Sequence, residues 1–193
     1  MIPQLMKKDH EALDEVLQRL DSSLERHELL SSFELLDLFW ARLAVHIRAE
    51  NVRLFPAILS ARSEVVDAAL PSLREVHSTI QQLKVDHNFF MEELSKAVRQ
   101  MRQLVKAEFY DQRRLVTELS RIRDRVDAVS NRLREHNKLE EEQVYRWSGL
   151  MMNGSRLRIL EDAIRHEIEN LPPRFREESG ALYFGRLASS LVD

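Results

Sequence analysis

The sequence predicts an all-α protein, an up-down-up-down four-helix bundle with a short C-terminal helical extension. Three observations predict it. First, four glycines and five prolines in 193 residues, with 32% charged and 44% hydrophobic residues, leave little turn material and favour long helices over a many-stranded sheet. Second, apolar residues recur at steps of three and four along four long stretches, as one buried helix face requires. Third, four histidines on those stretches are spaced so that the midpoints between successive ones, at residue 28, at 66 and 67, and at 111 and 112, land where turns are expected. Residues at one height in an up-down bundle must be equidistant from the turn between them.

Each element follows from its residues. Pro3 suits a first helical turn, and beyond it Met6, His10, Leu13, Leu17, Leu20 and Leu24 form the first seam. Ser31 with Glu34 three residues on reads as a capping box opening a second helix, whose seam is Leu36, Phe39, Leu43, His46, Glu50 and Leu54. Pro56 lies where that helix should still be running and is expected to kink it, not end it. Residues 62–70 read as a loop. Pro71 opens a third helix with the seam Leu73, Val76, Ile80, Leu83, His87, Phe90, Leu94, Val98 and Met101. Asp111 caps a fourth, which carries Leu115, Leu119, Ile122, Val126, Val129, Leu133, His136, Glu140, Val144 and Trp147. Gly149, Asn153 and Gly154 then break the pattern, and residues 155–170 read as a shorter amphipathic helix closed by Leu171-Pro172-Pro173. The boundaries expected are a bundle over 1–147 and an extension over 148–193, whose Leu182, Tyr183, Phe184 and Leu187 are apolar enough to pack on the bundle or on a second copy of the chain.

Composition removes several function classes. With no cysteine there are no disulfides, thiolate metal sites or cysteine-bound iron-sulfur clusters, so any metal must rest on histidine and carboxylate. A formal charge of -3 with both signs interspersed gives no reason to expect nucleic acid as a partner. No stretch has the eighteen or so uninterrupted apolar residues of a membrane span, and the N-terminus lacks the apolar core of a signal peptide. A cytoplasmic location is the expectation.

The chemistry sits in a repeat. His46 and Glu50 form an H-x-x-x-E, with Phe55 nine residues after the histidine; His136, Glu140 and Tyr145 repeat the spacing. Upstream of each lies an Asp-His pair, Asp9-His10 and Asp86-His87. Residues four apart on a helix lie one above the other, so each H-x-x-x-E aims an imidazole and a carboxylate at one point. A lone histidine on an apolar face is most often a hydrogen-bonded core residue, but four at one height with two buried glutamates are not explained that way. A carboxylate placed on a core seam costs several kcal/mol, by order of magnitude, unless a cation or partner neutralises it. His27 and His77 lie about 25 and 15 Å along their helices from His10 and His87 and are out of reach. His166 reads as surface, the charged run 121–135 as a solvated face, and the aromatics, Tyr145 among them, as core.

With these four elements the chain resembles the hemerythrin-like (HHE cation-binding) family over roughly residues 1 to 147. The resemblance implies two non-haem irons, with manganese or zinc open: His10 and His46 mainly on one, His87 and His136 on the other, Glu50 and Glu140 bridging. It implies a small ligand, oxygen, nitric oxide or peroxide, and a role in sensing, redox chemistry or iron homeostasis, as a binding protein in preference to an enzyme. Hemerythrins that carry oxygen have a second histidine on the third helix four residues from the first; here those positions are Leu83 and Met91. That departure speaks against oxygen transport. It leaves Asp14, Glu141 or solvent to complete the site, with solvent the first choice. The alternatives are an iron-responsive protein-interaction module without chemistry, docking or dimerising through the extension, and a low-turnover oxidase or peroxidase.

Overall fold

The long apolar seams become four rods. In a computed structural model, described here for residues 1–64, 70–107 and 111–175, helix α1 spans Ile2–Glu25 and α2 spans Leu29–Ala49. The α2 rod continues without a break through a π-helical turn, π1 (Glu50–Leu54), into α3 (Phe55–Glu64). Helix α4 is Leu73–Lys106. The last rod is α5 (Gln112–Leu139), a second π turn, π2 (Glu140–Val144), and α6 (Tyr145–Met151). Helix α7 (Gly154–Glu169) and a 3-10 turn at Pro173–Phe175 follow. Among the described residues there is no strand, and no helix is long and apolar enough to cross a membrane.

Local chemistry sets the ends. Asp111 caps α5 by accepting the Arg113 amide, as expected, whereas α4 opens not at Pro71 but at Leu73, after Ser72, which accepts the Glu75 amide at 3.1 Å. Asn153 caps α7 in the same way through Arg156. The expected box of Ser31 and Glu34 does not form. Instead α2 begins at Leu29, because His27 at φ 56° turns the chain sharply and Ser23 and Ser32 bond across the corner at 2.9 Å. A residue other than glycine in that left-handed region costs on the order of 1 kcal/mol. The loop expected over 62–70 starts later, since α3 runs to Glu64; residues 65–69, including the midpoint at 66 and 67, lie outside the described residues. So do residues 176–193, with Leu182, Tyr183, Phe184 and Leu187.

Helices α4 and α5 are held in register by a ladder of polar pairs. Gln100 meets Glu118 at 2.7 Å, Glu93 meets Arg125 at 2.7 Å, and Asp86 meets Arg132 at 2.8 Å. The rungs step by seven residues in opposite directions on the two helices, as antiparallel left-handed packing requires. Arg125 and Arg132 of the charged run 121–135 therefore belong to this ladder, so the run is not a purely solvated face.

The core forms two clusters. One gathers Leu13, Leu20, Leu36, Phe39, Leu94, Val98, Ile122 and Val129 near the α1–α2 corner. The other gathers Ile2, Met6, Leu54, Phe55, Ile80, Leu83, Val144 and Tyr145 at the opposite end, together with Leu160 and Ile164 of α7. Between Met6 and Leu13, and between Leu83 and Phe90, the seams carry histidine, so a polar layer separates the two clusters.

Candidate metal centre

Each rod contributes to that polar layer. His10 comes from α1, His46 from α2 with Glu50 opening π1, His87 from α4, and His136 from α5 with Glu140 opening π2. None of the six is more than 3% exposed, and both glutamates are at 0%. The structure brings all six together in two groups, His10, His46, Glu50 and Glu140 in one and Glu50, His87, His136 and Glu140 in the other. Both glutamates belong to both groups.

The imidazoles are oriented from outside. His10 Nδ1 donates to Glu141 at 2.8 Å and His46 Nδ1 to Asp9 at 2.8 Å. His87 Nδ1 donates to Asn51 Oδ1 at 3.3 Å and His136 Nδ1 to Asp86 at 3.3 Å. A carboxylate or amide oxygen can only accept, so in every case the proton is on Nδ1 and the Nε2 lone pair points inward. Arg42 holds Asp9, and Gln82 and Arg132 hold Asp86. The aspartate of each Asp-His pair thus serves the histidine of the neighbouring helix.

Inside, acceptors face acceptors. Nε2 of His10 lies 3.2 Å from that of His46, and Nε2 of His87 lies 3.1 Å from that of His136. Glu50 Oε2 is 3.2 Å from His87 Nε2 and 3.5 Å from His46 Nε2; Glu140 Oε1 is 3.1 Å from His136 Nε2. Both of these oxygens are buried without a hydrogen-bond partner. Four lone pairs and two carboxylates enclosed without enough donors form a cage that needs positive charge at its centre. Protons or metal cations could supply it. Burial pulls the His46 pKa down, but Glu50 and Asp9 outweigh it and hold it well above the ordinary histidine range. His136 is raised in the same way, burial being overcome chiefly by Glu140. Burial pushes Glu50 up, and His46 and His87 more than reverse this and hold it well below the usual carboxylate range. Glu140, which burial and Glu50 raise, is brought down by His136 and His10. A cation must displace these imidazole protons, which ties binding to pH.

One oxygen at the centre went unread in the sequence. Tyr145 is fully buried, and its hydroxyl lies 2.7 Å from Glu50 Oε1, 3.0 Å from Glu140 Oε2 and 3.0 Å from His10 Nε2. It is part of the site and not simply core. The π turn places it there, because the Tyr145 amide bonds the Glu140 carbonyl five residues back, as Phe55 does to Glu50. Phe55 occupies the matching position in the first half, stacked on His87 with ring centroids 5.8 Å apart and planes 4° apart. Burial, then the charges of Glu140 and Glu50, hold the Tyr145 pKa well above the ordinary phenol value, so it stays a donor. Glu141 is engaged as the partner of His10 and Asp14 is exposed on α1, so neither completes the cage. His27, His77 and His166 are exposed and apart from it.

The donor set, imidazole nitrogen with carboxylate oxygen and no thiolate, suits iron, manganese or zinc. A four-helix bundle with such a cage in its core is of the helical class that binds cations. The family model for the hemerythrin HHE cation-binding domain matches residues 1–148, and the chain belongs to this family. No curated protein and no solved structure gives a match. Helix α7 lies beyond the matched residues.

Proposed function

We propose that the protein is a non-haem di-iron protein that binds a small ligand, oxygen, nitric oxide or peroxide, in sensing, redox chemistry or iron homeostasis. The observation that carries this reading is the pair of four-residue groups sharing Glu50 and Glu140, each with an orphaned buried oxygen. In this reading His10 and His46 hold one cation, His87 and His136 the other, and the glutamates bridge. Iron held there would supply a redox-active centre with positions open to a small ligand.

The chain's own residues make the two positions unequal. Beside His10 and His46 the Tyr145 hydroxyl offers a proton and an oxygen. Beside His87 and His136 the walls are apolar, with Phe55 stacked on His87 and Phe90 edge-on to His136 at 5.2 Å. The small ligand is assigned to this more apolar side, where Leu83 stands in place of a further histidine. The test is the visible spectrum of iron-loaded protein, oxidised and reduced. Nitric oxide or azide should change it readily, and oxygen should oxidise the reduced form. A spectrum that oxygen shifts reversibly for hours would restore the carrier reading.

A second reading, an iron-responsive interaction module without chemistry, is favoured by one contact. Glu167 of α7 accepts Arg48 at 2.7 Å and Arg53 at 2.8 Å, two arginines that flank Glu50. Through them the extension touches the segment that places a bridging carboxylate. Oligomerisation that follows iron but ignores oxygen and nitric oxide would select this reading.

A further inference from the structure

Residues no more than 3% exposed need a way in for whatever they bind. A groove of about 720 Å³ runs between α1 and α5, and His10 is the one cage residue that lines it. A smaller cavity of about 270 Å³ shares Lys7, Glu141 and Glu142 with the groove and reaches Tyr145. Both open on the His10 side of the centre.

The groove carries oxygen donors at the height of His10. Asp14 is one helical turn from His10 on α1, and Asn137 and Glu141 are one turn apart on α5. Glu141 is 34% exposed while its carboxylate holds His10 Nδ1, so it spans solvent and centre. Asn137 is only 8% exposed, yet its Oδ1 has no hydrogen-bond partner. A buried amide oxygen without a donor calls for an explanation, and a cation contact is one. Six carboxylates against the cations Lys7, Arg134 and Lys138 give the walls a negative balance.

We propose that this groove is a loading site for a divalent cation. Asp14, Asn137 and Glu141 receive the hydrated ion beside His10, and Glu141 then passes it to the buried cage. The inference rests on the cation reading of the centre. Oxygen donors bind a divalent first-row ion weakly and exchange it fast, whereas the imidazoles beyond hold it more tightly, so transfer runs inward. During transfer Glu141 releases His10 Nδ1–H, and the bond re-forms once the ion has passed. An acidic groove also concentrates cations, so loading should slow as salt rises.

The experiment mixes metal-stripped full-length protein with ferrous iron in a stopped-flow instrument without oxygen, and measures final metal content separately. Glu141→Gln alone is ambiguous because Glu141 also orients His10. The variants are therefore Asp14→Asn and Asn137→Leu, with Glu92→Gln on the far helix α4 as the control. The expected result is uptake slowed about tenfold in Asp14→Asn, the scale of electrostatic steering, and slowed in Asn137→Leu by loss of its oxygen ligand, with full final content and an unchanged control. Asp14 is exposed, so Asp14→Asn decides the matter should Asn137→Leu fold poorly. Variants that fill at the wild-type rate would overturn the groove alone; wild-type protein that takes up no metal would overturn the cage reading and the groove with it.

Discussion

At the scale of residues, the centre is a problem of donors and acceptors. Tyr145 offers one O–H to Glu50, Glu140 and His10 Nε2. Tyr145→Phe should keep the metal yet lower the stability of the loaded protein by about 1–3 kcal/mol, the cost of leaving buried acceptors without that donor. Chemical denaturation measures it, and an unchanged midpoint would mean the hydroxyl is idle. Asp9→Ala and Asp86→Ala leave every cage residue in place but free His46 and His136 to rotate, and metal affinity should fall about 10- to 100-fold by chelator competition. Equal affinities would remove these aspartates from the account. The six cage residues were legible because both repeats fall on apolar seams. Tyr145 was not, because nine residues along a straight α-helix turn the side chain about 180° from the histidine. Only the extra residue taken up by the π turn brings it round. The aromatic at the same offset in both copies was the visible trace of those turns.

At the scale of elements, the turns at Glu50 and Glu140 are the least regular parts of the rods and the most consequential. Pro56 was expected to kink the second helix. The break in α-geometry instead begins at Glu50, and it recurs at Glu140 with no proline nearby, so it belongs to the carboxylates. In the sequence both stretches continue a 3.5-residue seam through Leu54 and Val144, which hides the inserted residue. The α4–α5 ladder was equally hidden, because charged residues seven apart are read as solvent-facing until the partner helix is known. The short amphipathic helix α7 was readable from its period; Asn153 was read only as a break, and neither its capping role nor the helix's docking partner was visible. Glu167→Ala should cost about 1 kcal/mol or less, since Arg48 and Arg53 are nearly half exposed. Ile164→Ala, which empties a fully buried site, should cost about 2–4 kcal/mol. Thermal unfolding of the pair would show whether α7 is held by its apolar face, and a larger loss in Glu167→Ala would reverse that order.

At the scale of the whole molecule, two similar halves, α1 to α3 and α4 to α6, each bring an Asp-His pair, an H-x-x-x-E and a π turn to one layer. The repeat in the sequence is a repeat in space. What unites the halves also fixes the response to pH. His46 and His136 have raised pKa values, so their protonation stabilises the stripped protein fully below the unfolded value of about 6.5 and is lost as pH rises through the folded values. The depressed values of Glu50 and Glu140 work at the other end, giving stability above about 4.3 that is lost as pH falls through their folded values. A cation takes the place of the imidazole protons and binds better as pH rises. The gain in Tm on loading should therefore be larger at about pH 8 than at about pH 6; a gain that is equal or smaller would contradict the proton-for-cation exchange.

In the proposed reading, six residues from four rods form one centre for two cations. An anaerobic titration of the stripped protein with ferrous iron, followed by absorbance and by metal content after desalting, tests it most directly. Because Glu50 and Glu140 each belong to both groups, the account predicts a break at about two equivalents per chain, with both ions retained. Retention of a single ion, or of none, would contradict it.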